Sequence, residues 1–296
     1  MGQRVNKAAD LRKLLATGEV LVCPGGYDGL TARLIELAGF KAVYATGAGI
    51  ANSQIAFADV GLITMSEMLE QARKMIAAVD VPVICDIDTG FGNAINLHRT
   101  VAEFARAGAA AVQIEDQVIP KKCGHFEGKQ VLPFDESVLK IKAAIDARGD
   151  DDLVIIARTD ALAVEGFEAT MQRALAYKEA GADVIFFEAP QTVEQMQEIG
   201  RRIPGPKVAN IVEGGKTPLV PLNELQAMGF QIVLYANLVL RSSVKAIEAN
   251  LAHLHKAGDS TAILDRLITM DERARITRKP ELDALEQRFV ITPAAS

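Results

Sequence analysis

Residues 106–116 read RAGAAAVQIED: a charged helical end, a glycine at position 108, then small and apolar residues closing on two acids. The phrase recurs as LAGFKAVYATG at 37–47, EAGADVIFFEA at 179–189 and AMGFQIVLYAN at 227–237, with Gly39, Gly181 and Gly229 in the place of Gly108. A glycine at that point suits the left-handed conformation that ends helices, so each phrase predicts a helix giving way at once to a strand. Between them lie VLVCPGG (20–26), VPVICDIDTG (81–90), LVIIARTD (153–160) and PKVANIVEGG (206–215), short apolar runs of the same kind. All eight runs are almost continuously apolar, which fits strands buried on both faces in a parallel sheet covered by helices. The stretches between, such as SEMLEQARKMIAAV (66–79) and FEATMQRALAYKEA (167–180), carry apolar residues at helical spacing. Alternating strand and helix predict an α/β protein, a (β/α)8 TIM barrel over residues 1–255, followed by a charged C-terminal helical extension over 256–296.

The 296 residues are 49% hydrophobic and 24% charged, a balance that supports one large core and a well-solvated surface. A net charge of -6 and a pI near 5.4 offer no basic face to nucleic acid or anionic lipid. No apolar run is long enough to span a bilayer and the start, MGQRVNKAADLRK, has no signal-type apolar region, so the expectation is cytoplasmic with no membrane partner. Three cysteines argue against a disulfide framework. Cys23 and Cys85 sit in strand-like runs as buried, inert thiols. Cys123 instead lies among Lys121, Lys122, His125 and Lys129, cations that favour its thiolate.

A parallel barrel builds its site at the C-terminal ends of its strands. That rule selects Thr46, Asp86, Asp88, Glu115, Asp116, Arg158, Asp160, Glu188, Asn210 and Glu213. Two long segments, 47–64 and 117–135, interrupt the rhythm as binding loops; Gly124 and Gly128 make the second a flap that closes to exclude water. Asp86 and Asp88 alternate along a strand and so face one cavity, where their repulsion calls for a hard cation such as Mg2+ that keeps bound waters. Asp59 and Glu115 are placed to hold those waters. Asp-x-Asp read alone is equally a loop start with capping duties, and no His and Cys cluster supports zinc. Arg158 and Arg241 each bring a planar fork suited to a carboxylate, or else an ion-pair partner for a neighbouring acid. Thr46, Gly47 and Ala48 offer a hydroxyl and backbone N–H groups to an anion, or simply a tight turn. Asn210 is a donor to substrate or a satisfied loop amide.

The loop KKCGH (121–125), with DIDTGFGNAINLHRT (86–100), QIEDQ (113–117), IIARTDA (155–161) and EGGKTP (213–218), resembles the isocitrate lyase and phosphoenolpyruvate mutase superfamily over roughly residues 10–285. The resemblance implies Mg2+, with Mn2+ as a substitute, on Asp86 and Asp88 directly or through water, supported by Asp59 and Glu115. It implies a substrate carboxylate on Thr46, Gly47 and Ala48, contacts from Gly124, Arg158, Glu188, Asn210 and Arg241, and Cys123 as proton donor on a gating loop. It also implies a homotetramer with a C-terminal helix exchanged between subunits.

The chemistry expected of such a site is a retro-aldol cleavage of a 2-hydroxy di- or tricarboxylate. A 2-keto acid stays on the metal, and the departing fragment is stabilised by Lys121, Lys122, His125 and Arg158 and protonated by Cys123. Carbon–phosphorus enzymes of the superfamily lack the Cys-Gly-His loop, and oxaloacetate hydrolases tend to carry Ser where Pro218 stands here. A dicarboxylate-binding barrel without catalysis is the non-enzymatic alternative. Phe126-Glu127-Gly128-Lys129 in place of Arg-Pro-Asn-Lys, and Met270 aligned with a carboxylate-binding arginine, favour a 2-alkylmalate over 2-methylisocitrate; the stretch IIARTDALAVEG (155–166) favours the reverse.

Overall fold

Strands form where the apolar runs stand: β1 Leu21–Gly26, β2 Val43–Ala45, β3 Val83–Asp86, β4 Ala111–Glu115, β5 Val154–Thr159, β6 Val184–Phe187, β7 Lys207–Asn210 and β8 Ile232–Tyr235. All pair in parallel in chain order, and β8 returns to β1 with Leu21 opposite Ile232, so the sheet closes as the expected barrel. The computed structural model describes residues 6–122, 124 and 128–290. Helices alternate with the strands, and Gly108, at φ +91°, ends the helix Ala94–Ala107 by donating its N–H to the carbonyls of Phe104 and Ala105. Gly39, Gly181 and Gly229 likewise have positive φ, as their phrase predicts.

Strand alternation sorts the side chains into two layers. Tyr44, Ile84, Ala111, Val154, Ile156, Val184, Phe186 and Val208 fill the barrel interior. Val43, Cys85, Val112, Ile155, Ile185 and Ala209 face out and pack in the larger cluster that includes the surrounding helices. Because successive residues face opposite sides of a strand, counting in twos from the interior set carries inward-facing parity to Thr46, Asp86, Gln113, Glu115, Arg158, Glu188 and Asn210 at the strand ends. Parity thus aims polar residues from six strands at one mouth, on a floor of buried aliphatics each worth about 1.5–3 kcal/mol.

Three departures from the sequence reading have physical causes. The segment 47–64 opens as a helix, Gly47–Ile55, capped by the Thr46 hydroxyl; its sequence GAGIANSQI is too small and uniform to show a helical stripe. The segment 117–135 is pinned at its base by an antiparallel bridge between Gln117 and Val131, and the helix Phe134–Arg148 starts inside it. The chain divides into Met1–Leu240 and Arg241–Ser296 rather than at 255. The helix Leu238–Ala257 continues the strand–helix rhythm, so sequence counts it with the barrel, whereas its residues beyond Leu240 group with the C-terminal helices Met270–Ile276 and Lys279–Phe289. The second unit carries Ile247, Leu251, Leu254, Leu282, Leu285 and Phe289 exposed in the single chain. Among the described residues no helix is long and apolar enough to cross a membrane.

Candidate active site

β3 ends at Asp86, and Asp88 lies two residues beyond it at φ +48°. The two carboxylates therefore meet through a left-handed turn, not through strand alternation, and the Asp88 N–H donates to Asp86 Oδ1 at 3.1 Å. A methyl placed on Gly47 would stand 2.9 Å from Asp86 Oδ2 and 3.4 Å from Asp88 Oδ1, so only a glycine lets the helix Gly47–Ile55 begin against this pair. Its first N–H donates to Asp86 Oδ2 at 3.3 Å, and the positive end of the helix favours the anion. The Thr46 hydroxyl accepts from the Gly49 N–H at 3.4 Å, and Ala48 is half-buried in the same turn.

Behind the pair, Tyr44 lies 3.1 Å from both Asp86 Oδ2 and Gln113 Oε1. One phenolic proton cannot serve two acceptors, and Gln113 Nε2 is buried with no partner among the described residues. Turning that amide over lets Gln113 donate to Tyr44 while Tyr44 donates to Asp86, which removes the conflict at the phenol. In front, the ammonium of Lys121 stands 2.9 Å from Asp88 Oδ1 and also bridges to Asp59. Burial pushes the Asp88 carboxyl up to about 6, against the pull of Lys121. Burial also opposes charge on Lys121, but Asp88, Glu115, Asp59 and Asp86 outweigh it and hold the ammonium well above its ordinary range.

A second cluster surrounds Arg158 at the end of β5. Asp160 grips its guanidinium with two hydrogen bonds of 2.8 and 3.0 Å, Glu115 lies at 3.4 Å and Glu188 at 4.0 Å, while the Phe186 ring sits 5.2 Å beneath it. Of the two roles expected for Arg158, the ion-pair role is the one these contacts fill. Burial pushes Glu115 well above the usual carboxylate range despite Arg158. Asp160 is driven below it, since Arg158 and Lys129 overcome its burial. Asp116 has the opposite parity to Glu115 and points away from the lumen, accepting from the Asp160 N–H and the Tyr177 hydroxyl.

The flap spans both clusters. The Gln117 side-chain amide pairs with the backbone N–H and carbonyl of Lys122 at 3.0 and 2.7 Å, turning Lys121 inward while the Lys122 side chain is exposed. Gly124 is buried so closely that a methyl there would fall 2.4 Å from Glu188 Oε1 and 2.5 Å from Arg158 Nη2. Cys123, His125, Phe126 and Glu127 lie outside the described residues. Asn210 ends β7 with its Oδ1 buried and unpartnered among the described residues, so its oxygen is not that of a satisfied loop amide. Arg241 is exposed in the second unit. Tyr44, Gln113, Gln117 and the contacts of Lys129 are not apparent from the motifs; Tyr44 and Gln113 stand two residues before Thr46 and Glu115, so strand parity is the sequence signal that marks them. A cavity of about 390 Å3 adjoins Asp88 and Lys121, lined also by Ile63, Thr64, Phe91, Asn96 and Arg99.

Among the described residues no three His, Cys, Asp or Glu side chains form a ready metal cage. A cation here would take one or two carboxylates and complete its shell with water or substrate, as Mg2+ does. The donors fit such an ion: all are oxygens, and Glu115 Oε1 is buried without a hydrogen-bond donor among the described residues.

Closed barrel, acid pair and flap together define the class, and comparison supports it: a family model described as phosphoenolpyruvate phosphomutase matches residues 11–255. The chain belongs to the phosphoenolpyruvate mutase and isocitrate lyase superfamily, in its carbon–carbon lyase branch. It is 47% identical over 269 residues to the 2,3-dimethylmalate lyase of Eubacterium barkeri, covering 90% of this chain and 93% of that one. It is 47% identical over 262 residues to the 2-methylisocitrate lyase of Aeropyrum pernix, covering 88% and 84%. Among solved structures it matches an oxaloacetate acetylhydrolase complexed with 3,3-difluorooxalacetate at TM-score 0.92 and 34% identity, covering 96% and 98%. It also matches a phosphonopyruvate hydrolase complexed with oxalate and Mg2+ at TM-score 0.86 and 32% identity, covering 97% and 99%.

Proposed function

We propose that this protein is a cytoplasmic, Mg2+-dependent lyase that splits a 2-hydroxy di- or tricarboxylate into a 2-keto acid, such as pyruvate, and a carboxylate, propionate or succinate. The observation that carries the reading is the buried Asp86–Asp88 pair, faced by a flap lysine, at the mouth that also holds Arg158 and Glu188. Asp86 and Asp88 would hold the ion, with Asp59 and Glu115 on its waters; when bound, it supplies Lewis acidity that eases ionisation of the 2-hydroxyl.

The chain's own groups do the rest. Thr46, Gly47 and Ala48 orient a substrate carboxylate at a helix N-terminus. Arg158, fixed by its acids, presents positive charge to the departing fragment together with Lys121, Lys122 and His125. As the carbon–carbon bond breaks the 2-hydroxyl gives its proton to solvent water and becomes the keto oxygen, the electron pair of the broken bond stays on the departing fragment, and the Cys123 thiol gives its proton to that fragment's carbon. Asn210, Gly124 and Glu188 complete the contacts. Glu115 and Asp160 hold Arg158 in one orientation so that no side-chain rearrangement accompanies the bond cleavage.

The preferred substrate is a 2-alkylmalate of the 2,3-dimethylmalate type. With Met270 aligned where the family carries a carboxylate-binding arginine, a third carboxylate would lack its charged partner, a cost of about 1–3 kcal/mol. Oxaloacetate hydrolysis is the second reading, favoured by the close backbone match to an oxaloacetate acetylhydrolase. Mass spectrometry of products from 2,3-dimethylmalate, 2-methylisocitrate, isocitrate and oxaloacetate with Mg2+ separates these. A tenfold higher kcat/KM for 2-methylisocitrate overturns the alkylmalate preference, and acetate plus oxalate from oxaloacetate alone overturns the lyase reading. The exposed apolar side chains of the second unit support a homotetramer built by exchange of a C-terminal helix; a monomeric mass by light scattering at micromolar concentration would refute it.

A further inference from the structure

Lys129 has no place in the chemistry above, yet it is as buried as the groups that do. Its ammonium donates to Asp160 Oδ1 at 2.9 Å and to the Gly124 carbonyl at 2.7 Å. Its side chain is 3% exposed and that of Asp160 0%. A lysine taken this far from water needs partners that repay its lost hydration, and a flap without function has no reason to bury one. The two partners belong to different bodies: Gly124 lies five residues earlier on the flap, and Asp160 follows β5. Gly128, at φ +71°, makes the bend that returns the chain for Lys129 to reach across.

Asp160 is also the carboxylate that chelates Arg158, and Gly124 is the residue that sits directly on Arg158 and Glu188. We infer that Lys129 is a positioning residue: a latch that holds the Gly124 limb of the flap against the Arg158–Glu188 pair by bridging it to Asp160. Arg158 is thereby fixed from the barrel and covered from the flap through one shared carboxylate. Without the latch Asp160 keeps its two bonds to Arg158, so the barrel side persists, while Gly124 loses its only side-chain tie among the described residues. The seating of Gly124 is a matter of geometry alone; its effect on turnover rests on the lyase reading.

The test combines Lys129→Met, which keeps the length of the stem and removes the charge, with Lys129→Arg, which restores a donor able to reach both oxygens. Hydrogen–deuterium exchange on the protein without metal or substrate reads the latch directly. Lys129→Met is expected to speed exchange of peptides within 117–132 at least tenfold while peptides of β5 stay at the wild-type rate. With Mg2+ and the best substrate from the screen, its kcat should fall at least tenfold, its Mg2+ dissociation constant by calorimetry should stay within twofold, and Lys129→Arg should recover most of both losses. Unchanged flap exchange in Lys129→Met overturns the latch, as does an arginine variant no better than the methionine one. Faster exchange throughout β5 would mark Lys129 as a general support of the mouth and also overturn it. If no substrate turns over in the wild type, the lyase reading fails, and the exchange arm still decides the latch.

Discussion

Arg158 and the Asp86–Asp88 pair line the same mouth, and the barrel treats their buried charges differently. Among the described residues Arg158 is compensated from the barrel: by Asp160 through two hydrogen bonds, then by Glu115 and Glu188, over the face of Phe186. Asp86 receives neutral donors, the Tyr44 hydroxyl and the Gly47 N–H, while Asp88 is met by a cation carried on the flap, Lys121. Compensation built into strands fixes one geometry. Compensation carried by a loop can be exchanged for another cation. The Arg158 side therefore reads as scaffold for the departing fragment, and the acid pair as the place where a metal enters.

The strongest way to break this contrast is to remove the acid. Asp86→Ala should bring turnover to or below about a thousandth of wild type, the upper end of what losing one preorganised charge-stabilising group costs, and should abolish Mg2+ binding in calorimetry. Chelation with EDTA should reproduce the loss and added Mg2+ should reverse it. An Asp86→Ala protein that binds Mg2+ as wild type does would leave the acid pair without its assigned task.

Cys123→Ser comes next. A hydroxyl is a far weaker acid than a thiol, so turnover should fall by roughly 100- to 10,000-fold, the usual worth of general acid help, while circular dichroism and the thermal midpoint stay put. Full activity in that variant would take Cys123 out of the reaction. Cys23 and Cys85 answer differently: both are fully buried and burial pushes both thiols up, so serine there should lower stability and leave the rate law unchanged.

Gly124→Ala tests the fixed side. Its added methyl would crowd Glu188 Oε1 and Arg158 Nη2, and Arg158 is held by Asp160, so the flap is expected to lift. A displacement near 1 Å commonly costs about a hundredfold in rate, and the loss should appear in kcat with the unfolding midpoint unchanged. A drop in midpoint with normal kcat would show the Arg158 side to be softer than its hydrogen bonds imply.

The barrel was legible because the strands are buried on both faces and four of the helices give way to a strand at Gly39, Gly108, Gly181 or Gly229, two requirements written directly into residue type. The mouth was legible as far as strand parity reaches: Thr46, Asp86, Glu115, Arg158, Glu188 and Asn210 all end inward-facing rows. Strand alternation does not account for Asp88, which reaches the site through a left-handed turn that Asp-x-Asp-Thr-Gly does not announce. Lys129 and Gly124 meet only because a flap folds back onto Asp160, and no local pattern encodes that contact. The helix Gly47–Ile55 was hidden by its own composition, and the boundary at Leu240 by a helix that continues the barrel's rhythm while grouping with the tail.

The smallest expected effect probes how firmly the barrel holds the acid pair. In Tyr44→Phe, Asp86 Oδ2 loses a buried donor and keeps only the Gly47 N–H, while the Gln113 amide loses the phenol oxygen as its acceptor. A hydrogen bond to a charged group is worth about 1.5–3 kcal/mol, and the lower figure applies because Asp86 retains other donors. That converts to roughly tenfold weaker Mg2+ binding. kcat at saturating metal should change less, because the bound ion then fixes the carboxylate itself. Gln113→Leu alone should be milder toward the metal, since Tyr44 can still donate to Asp86. The double variant decides between a relay and two separate contacts. If Gln113 acts on Asp86 only by orienting Tyr44, its loss costs no further metal affinity once the phenol is gone, and the double variant matches Tyr44→Phe within about 0.3–0.5 kcal/mol. Strictly additive losses would mean that the two side chains support the site independently, and the relay from Gln113 through Tyr44 to Asp86 would have to be abandoned.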